Sequence, residues 1–463
     1  MNESSYDLAI LGGGTGGYSA AIRASELGLK VALIEKDKLG GVCLHRGCIP
    51  TKSLLRTAES IEDIKRADKF GVEPLTPKLN WKKMMSSKEN VVDQLFKGLN
   101  TVLASHDIDI LKGVGDLLEN GNIKVTLSKT SKEISADNYI LATGSRPNTL
   151  DFEVDGKTII TSDHALRLDE KPRSVIILGG GAIGLEFAYM WASFGIEVTV
   201  VEVLPRIIAT EDTEISNKLE QALTKKGINI LTNTLLESID KNKGKVKAKI
   251  NNEGETRTIE ADKLFIAVGR KAVLDGYGIE KWKIRTNSFI DVDKDLRTSN
   301  PHVYAVGDVI DTPQFAHMAF AEGIYVAEHI AGEDPAPIDY GLIPRCIYTH
   351  PEIAAVGLSE DEAIEKGLEP IVSKFPFIAN SKATILRDTD GLVKIIASKK
   401  GPILGIHMIG PKVTELMAEA MLITSWEAFP EELADIIHPH PTLSETISEA
   451  TYKLLGKPLN ISA

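Results

Sequence analysis

Two of the chain's three cysteines, Cys43 and Cys48, stand five positions apart in the run Gly40 Gly41 Val42 Cys43 Leu44 His45 Arg46 Gly47 Cys48 Ile49 Pro50 Thr51 Lys52. On an ideal helix such positions have Cα atoms about 8–9 Å apart, whereas a disulfide wants less than about 7 Å. A bridge therefore needs distorted backbone. Gly40, Gly41 and Gly47 permit it, and Pro50 tolerates only a first turn or a bend. A strained, locally closed disulfide is the labile kind, suited to thiol exchange. Two other readings stand beside this one: a pair of free cysteines buried as small hydrophobes, and a metal site from Cys43, His45 and Cys48, which lacks a second ligand pair nearby.

A second candidate is the stretch His438 Pro439 His440 Pro441 Thr442 Leu443 Ser444 Glu445. Flanking prolines hold His440 on a rigid extended segment, and Glu445 is expected a turn into a helix that starts near Thr442. An imidazole backed by a carboxylate is held in one tautomer and can move a proton. Thr442 to Glu445 equally fits a capping box, with both histidines on the surface.

The elements that position these groups begin with a short apolar strand, Asp7 to Leu11, running into Gly12, Gly14 and Gly17. A helix over Tyr18–Leu29 and a strand over Val31–Ile34 follow, ending at Glu35. This is the dinucleotide-binding βαβ pattern, in which the helix N-terminus takes the pyrophosphate and the acid takes ribose hydroxyls. Gly12, Gly14, Gly17, Gly28 and Glu35 recur 167 positions later as Gly179, Gly181, Gly184, Gly195 and Glu202. Five kept spacings mean an internal duplication. Each copy closes on a strand reaching a glycine, Gly144 or Gly269, and the first is longer by 42 residues. The excess, about Cys43 to Ile110, is helical in pattern and sets the cysteine pair beside the first nucleotide turn.

Ser145 to Asn148 reads as a boundary, because the residue before a proline leaves the helical region. The strand from Val303 ends at Gly307 and Asp308, the latter a loop residue, an N-cap or a ligand. Pro335 and Pro337 mark a stiff linker, and an α+β domain follows from about Pro344. At 463 residues, three or four domains are expected. The net charge of −12 argues against a nucleic-acid partner. Met1–Ser5 offers no export segment and no stretch reads as a membrane span, which with few cysteines points to a reducing cytoplasm.

Together these motifs resemble the flavin-dependent pyridine nucleotide disulfide oxidoreductases, from Gly12 to Glu445. The resemblance implies two Rossmann-like domains, for FAD and NAD, plus a C-terminal α+β dimerisation domain. Expected boundaries are 1–147 for the FAD domain with the redox disulfide, 148–271 for the NAD domain, 272–340 for a central domain completing the FAD site, and 341–463 for the interface domain. It implies FAD on Gly12, Gly14, Gly17, Glu35, Lys52, Gly115, Thr143, Gly144, Ser145, Asp308 and Ala316. NAD falls to Gly179, Gly181, Gly184, Glu202 and Gly269, and Glu186 matches a carboxylate that pairs with the lysine at Lys52. Cys43 and Cys48 become the redox pair, His440 the base and Glu445 its orienter, with no metal. A homodimer in which His440 crosses to the partner is implied, with a dithiol substrate carried on lipoyl-bearing proteins of 2-oxo acid dehydrogenase or glycine cleavage complexes.

Glu202 favours NAD over NADP, although Arg206 four positions on could blur the choice. Glutathione-reductase-like and mercuric-reductase-like activities, and a non-catalytic flavoprotein, are the alternatives. The chain departs from the family at Lys271 Ala272 Val273, at Thr15, and at His45 and Arg46, which could alter the disulfide's potential. Cys346 reads as a buried structural residue.

Overall fold

A computed structural model describes residues 4–73, 75–242 and 244–462. Of the terminal stretches read above, residues 1–3 and 463 lie outside the described residues. The chain forms two compact units, one from the segments up to Ser53, Lys82–Asn148 and Gly269–Ile338, the other from Leu54–Trp81, Thr149–Val268 and Asp339 onward.

The first unit is built on β1 (Ser4–Leu11), α1 (Thr15–Glu26) and β2 (Val31–Glu35). Leu8 to Leu11 are almost wholly buried, as a strand covered on both faces requires. The cysteine segment then forms α2 (Gly41–Arg46) and the first turns of α3 (Cys48–Lys65), which runs on into the second unit; α4 (Trp81–Ala104) and β3 (Ile108–Lys112) follow. β4 (Val114–Leu117) and β5 (Ile123–Thr126) lead into the long β6 (Ser131–Leu141). The sheet order is β3-β2-β1-β6-β5-β4, parallel through β6 and antiparallel beyond it. The last residues of β6 also pair in parallel with Val303–Ala305, so the segment after Gly269 completes this sheet. Helix Ala316–Ile330 lies on α1 through two glycines: a Cβ on Gly323 would fall 2.3 Å from the Gly16 carbonyl oxygen.

The second unit carries a parallel sheet in the order Asn229–Leu231, Glu197–Val201, Ser174–Leu178, Lys263–Ile266, Ile159–Ile160. It also holds a three-stranded antiparallel sheet and, near the C-terminus, a five-stranded antiparallel one on which helices Val413–Ser425 and Glu445–Leu454 pack. The fold is therefore the expected α/β one with two dinucleotide-binding sheets. Cys346 is half-buried at the edge of the C-terminal core rather than fully buried: its strand, Arg345–Ile347, ends that sheet and has one neighbour. Within the first unit, Ser145–Pro147 pairs antiparallel with Arg270–Ala272, so the outgoing and returning chain form one ribbon.

An ionic cluster inside the second unit ties the helix Thr213–Lys225 to the C-terminal sheet. Lys394, with 3% side-chain exposure, lies 2.8 Å from Asp212 and 2.7 Å from Glu360. Lys394→Ala strands Asp212 in the interior and is expected to cost about 3–5 kcal/mol, read by chemical denaturation; a loss below about 1 kcal/mol would place the cluster in surface-like solvent. Its cross-strand neighbour His407 is pushed down to about 4 by burial, with Nε2 on the Leu358 carbonyl. Asp212 is held below its ordinary range: burial pushes it up, but Lys394 more than offsets that. Both native states favour the deprotonated form, so their stabilisation is complete above pH 6.5 and declines as pH falls towards 4 and below.

Candidate active site

The first glycine turn is shaped by contacts that only glycine allows. Gly12 has φ +113°, and a Cβ there would lie 2.2 Å from the Ala142 carbonyl oxygen. Gly13 N–H donates to Glu35 Oε2 and Asp37 N–H to Oε1, both at 2.7 Å, which fixes the carboxylate while leaving lone pairs for hydroxyl donors. No side chain caps the N-terminus of α1 at Gly14, and no acidic residue stands in its first turn. Open backbone N–H groups beside a fixed carboxylate fit the pyrophosphate and ribose of a dinucleotide such as FAD.

The cysteine segment docks directly on this turn. Gly40 N–H donates to the Gly13 carbonyl at 2.8 Å, and a Cβ on Gly41 would lie 2.7 Å from Gly14 Cα. Gly40 and Gly41 both have positive φ, at +98° and +58°. The helix breaks at Gly47 (φ −142°, ψ −110°), between α2 and α3, a distortion of the kind a Cys43–Cys48 bridge would need. Cys43 and Cys48 are half-buried thiols here. A hydrogen bond with Cys48, helped by burial and by the second sulfur's charge, raises the Cys43 thiol far above its ordinary value, against the pull of Lys52 on α3. His45 and Arg46 face away from this chemistry: His45 Nε2 meets the Leu39 carbonyl at 2.8 Å and Arg46 pairs with Asp37 at 3.2 Å. They brace α2 to the preceding loop.

The second glycine turn repeats the first contact by contact. Gly180 N–H donates to Glu202 Oε2 at 2.6 Å and Leu204 N–H to Oε1 at 2.8 Å, each 167 positions beyond its counterpart. Gly179 has φ +110° and a would-be Cβ 2.4 Å from the Ala267 carbonyl oxygen. Space beside Gly181 is open, and no side chain caps helix Ala182–Ser193. This turn fits a second dinucleotide. Arg206 donates to the carbonyls of Glu211 and Ala209 at 2.6 and 2.7 Å, so its guanidinium is committed to its own loop and does not answer for a 2′-phosphate.

In the C-terminal region, His440 Nδ1 lies 2.9 Å from Glu445 Oε1. The carboxylate only accepts, so Nδ1 carries a proton and, in the neutral ring, Nε2 is the nitrogen with the lone pair. The other oxygen, Oε2, accepts from Thr442 N–H at 2.7 Å. Glu445 is thus both the back half of a capping interaction and the orienter of the histidine. The helix starts at Glu445 and not near Thr442, because Thr442 spends its hydroxyl on the Pro439 carbonyl and its N–H on Glu445. His440 keeps 68% side-chain exposure.

Other predicted residues sort as follows. Ser145 Oγ donates to Asp308, joining two flavin candidates directly, and Arg270, which the sequence did not single out, donates to Ser145 at Oγ and at the carbonyl. Thr143 Oγ1 donates to the Val273 carbonyl, and Gly144 adjoins open space at φ +71°. Gly115 is required by packing, since a Cβ there would lie 2.5 Å from Leu11. Ala316 opens helix Ala316–Ile330, Gly269 has φ +94°, and Glu186 is buried with Oε1 accepting from Tyr348 N–H. Gly13 and Gly180 were missed although the same 167-residue offset relates them. Tyr18, raised to about 12 by burial and then by Cys43, and Glu322, buried and accepting from Gly307 N–H, carried no sequence signal of their own.

Residues 6–323 match the family model for pyridine nucleotide-disulphide oxidoreductases, and residues 343–451 match that family's dimerisation domain. The chain belongs to this family. Its relatives among the oxidoreductases include a dihydrolipoyl dehydrogenase of Bacillus subtilis, 46% identical with 98% of this chain and 99% of the relative covered. Another, from Zymomonas mobilis, is 39% identical with the same coverage. In structure it is similar to LpdA of Mycobacterium tuberculosis, with a TM-score of 0.90 at 25% identity over 96% of this chain and 99% of that one. The HOCl-induced flavoprotein disulfide reductase RclA of Escherichia coli, in its Cu(II) complex, gives 0.87 at 27% identity over 98% and 100%. Among the described residues no group of three or more His, Cys, Asp or Glu could hold a metal, and no helix is long and apolar enough to cross a membrane.

Proposed function

We propose that the chain acts as a dihydrolipoyl dehydrogenase, oxidising dihydrolipoamide through the Cys43–Cys48 pair with FAD and reducing NAD. The observation that carries this is the cysteine pair docked on an open dinucleotide turn, in a chain whose full-length relatives are dihydrolipoyl dehydrogenases.

Gly12, Gly14, Gly17, Glu35, Lys52, Gly115, Thr143 to Ser145, Asp308 and Ala316 are assigned to FAD. Gly179, Gly181, Gly184, Glu202 and Gly269 are assigned to NAD, and Glu186 to the pair with Lys52. In the oxidised pair, His440 Nε2 accepts a proton from the substrate dithiol, and the resulting thiolate attacks Cys43 Sγ. The Cys43–Cys48 bond breaks and Cys48 leaves as a thiolate. The second substrate thiol displaces Cys43, releasing the cyclic disulfide and leaving two reduced cysteines. Of these, Cys43 is assigned the proton and Cys48 the negative charge, as the sulfur that left as a thiolate. When bound, FAD supplies the two-electron acceptor that passes a hydride on to NAD.

His440 is assigned across a homodimer interface, to the cysteines of the partner chain. The match to a dimerisation domain supports this, as does exposure of the apolar neighbours Ile436 and Ile437, at 54% and 94%. Lipoyl-bearing proteins of 2-oxo acid dehydrogenase or glycine cleavage complexes are the proposed substrate carriers, in the cytoplasm.

Steady-state oxidation of dihydrolipoamide with NAD and with NADP tests the reading. Turnover with NAD preferred is expected, because Glu202 meets ribose hydroxyls and Arg206 is committed elsewhere. No turnover with either, alongside NADPH-driven reduction of another disulfide, would overturn it.

A further inference from the structure

The mechanism leaves one conspicuous histidine unused. His438 is 7% exposed, with Nε2 2.7 Å from Glu419 Oε1 and Nδ1 3.2 Å from the Ile436 carbonyl oxygen. Both partners only accept, so both ring nitrogens must donate. A ring with two N–H groups is an imidazolium. Its proton affinity is raised by Glu419 above all, against the effect of burial, with the Ile436 carbonyl and Glu445 adding to it. Two carboxylates act on it: Glu419, from helix Val413–Ser425, and Glu445, at the start of the last helix. Glu445 is also the partner of His440, two residues along the chain.

We propose that His438 is a positioning residue for the His440–Glu445 dyad: anchored as an imidazolium on Glu419, it fixes the segment that carries His440 and keeps a positive charge beside Glu445. This rests on the function proposed above. The anchor has a mechanical side, since Pro439 alone separates the two histidines and the ring of the first is pinned to a helix packed on the C-terminal sheet. It also has an electrostatic side. By like-charge repulsion the imidazolium opposes a second positive charge on the neighbouring His440 ring, so that the ring meets the thiol substrate with Nε2 free. Removing it leaves Glu419 as an uncompensated negative charge in the same place, which favours that second charge.

The test is the pH profile of kcat/KM for dihydrolipoamide in the FAD-loaded wild type, His438→Gln and His438→Lys, with NADH-dependent dye reduction as the check on folding and flavin. His438→Gln is expected to move the acid limb up by about half to one pH unit, a loss of about three- to ten-fold near pH 6, with little change near pH 8.5. His438→Lys, which restores the charge, is expected to return the limb towards wild type. A uniform loss at all pH values, or a lysine variant no different from the glutamine one, would overturn the proposal. If the glutamine variant loses flavin, the lysine variant decides: a wild-type acid limb supports the proposal and a shifted one contradicts it. A wild type unable to oxidise dihydrolipoamide would instead sink the underlying function.

Discussion

His440→Gln is expected to lower the oxidation of dihydrolipoamide by about 10²–10⁴-fold, the range of a lost general base, while FAD content and NADH-dependent dye reduction stay at wild-type levels. The side chain is exposed and makes its hydrogen bond to Glu445, so glutamine can replace it without opening a core. What glutamine cannot do is accept the thiol proton. Glu445→Gln should be milder in its chemistry yet costlier to the helix start, because that carboxylate also takes the Thr442 N–H. Stopped-flow mixing with dihydrolipoamide checks the point. Full retained turnover in His440→Gln would remove the histidine from the mechanism.

Cys48→Ser is expected to abolish dihydrolipoamide oxidation outright, since no disulfide remains to accept the electron pair and serine is no substitute leaving group. The fold should tolerate it: Cys48 is half-buried at the start of α3, and one sulfur exchanged for oxygen leaves Gly47 and the docking of Gly40 on Gly13 in place. Retained flavin and retained NADH–dye activity are the controls. Measurable dithiol turnover in this variant would mean that Cys48 is not the leaving sulfur.

Much of this architecture could be read from spacing alone. The 167-residue repeat of glycines and acids announced two nucleotide turns, and in each turn two of the repeated glycines are forced by backbone contacts: Gly12 and Gly17 in the first, Gly179 and Gly184 in the second. A bridge between the cysteines would need distorted backbone by the Cα distances on an ideal helix, and the helix does break at Gly47, one of the glycines that permit it. Less local features escaped. The helix start near Thr442 was placed too early, because the propensity pattern could not reveal that Thr442 and Glu445 use their groups to hold His440 instead. Glu322 and Arg270 act through partners 15 and 125 positions away, and no window of sequence contains both ends. Arg206 looked like a phosphate ligand by charge, and only its geometry shows the charge spent on two carbonyls of its own loop.

In the proposed reaction electrons pass from a dithiol through Cys43 and Cys48 to the flavin and on to NAD. Anaerobic titration of the purified, flavin-loaded protein with dihydrolipoamide, followed by absorbance and then by addition of NAD, tests it most directly. The predicted result is a long-wavelength band from the Cys48 thiolate against the oxidised flavin, absent in Cys48→Ser, followed by rapid formation of NADH. A flavin spectrum that ignores dihydrolipoamide but bleaches with NADPH would contradict it.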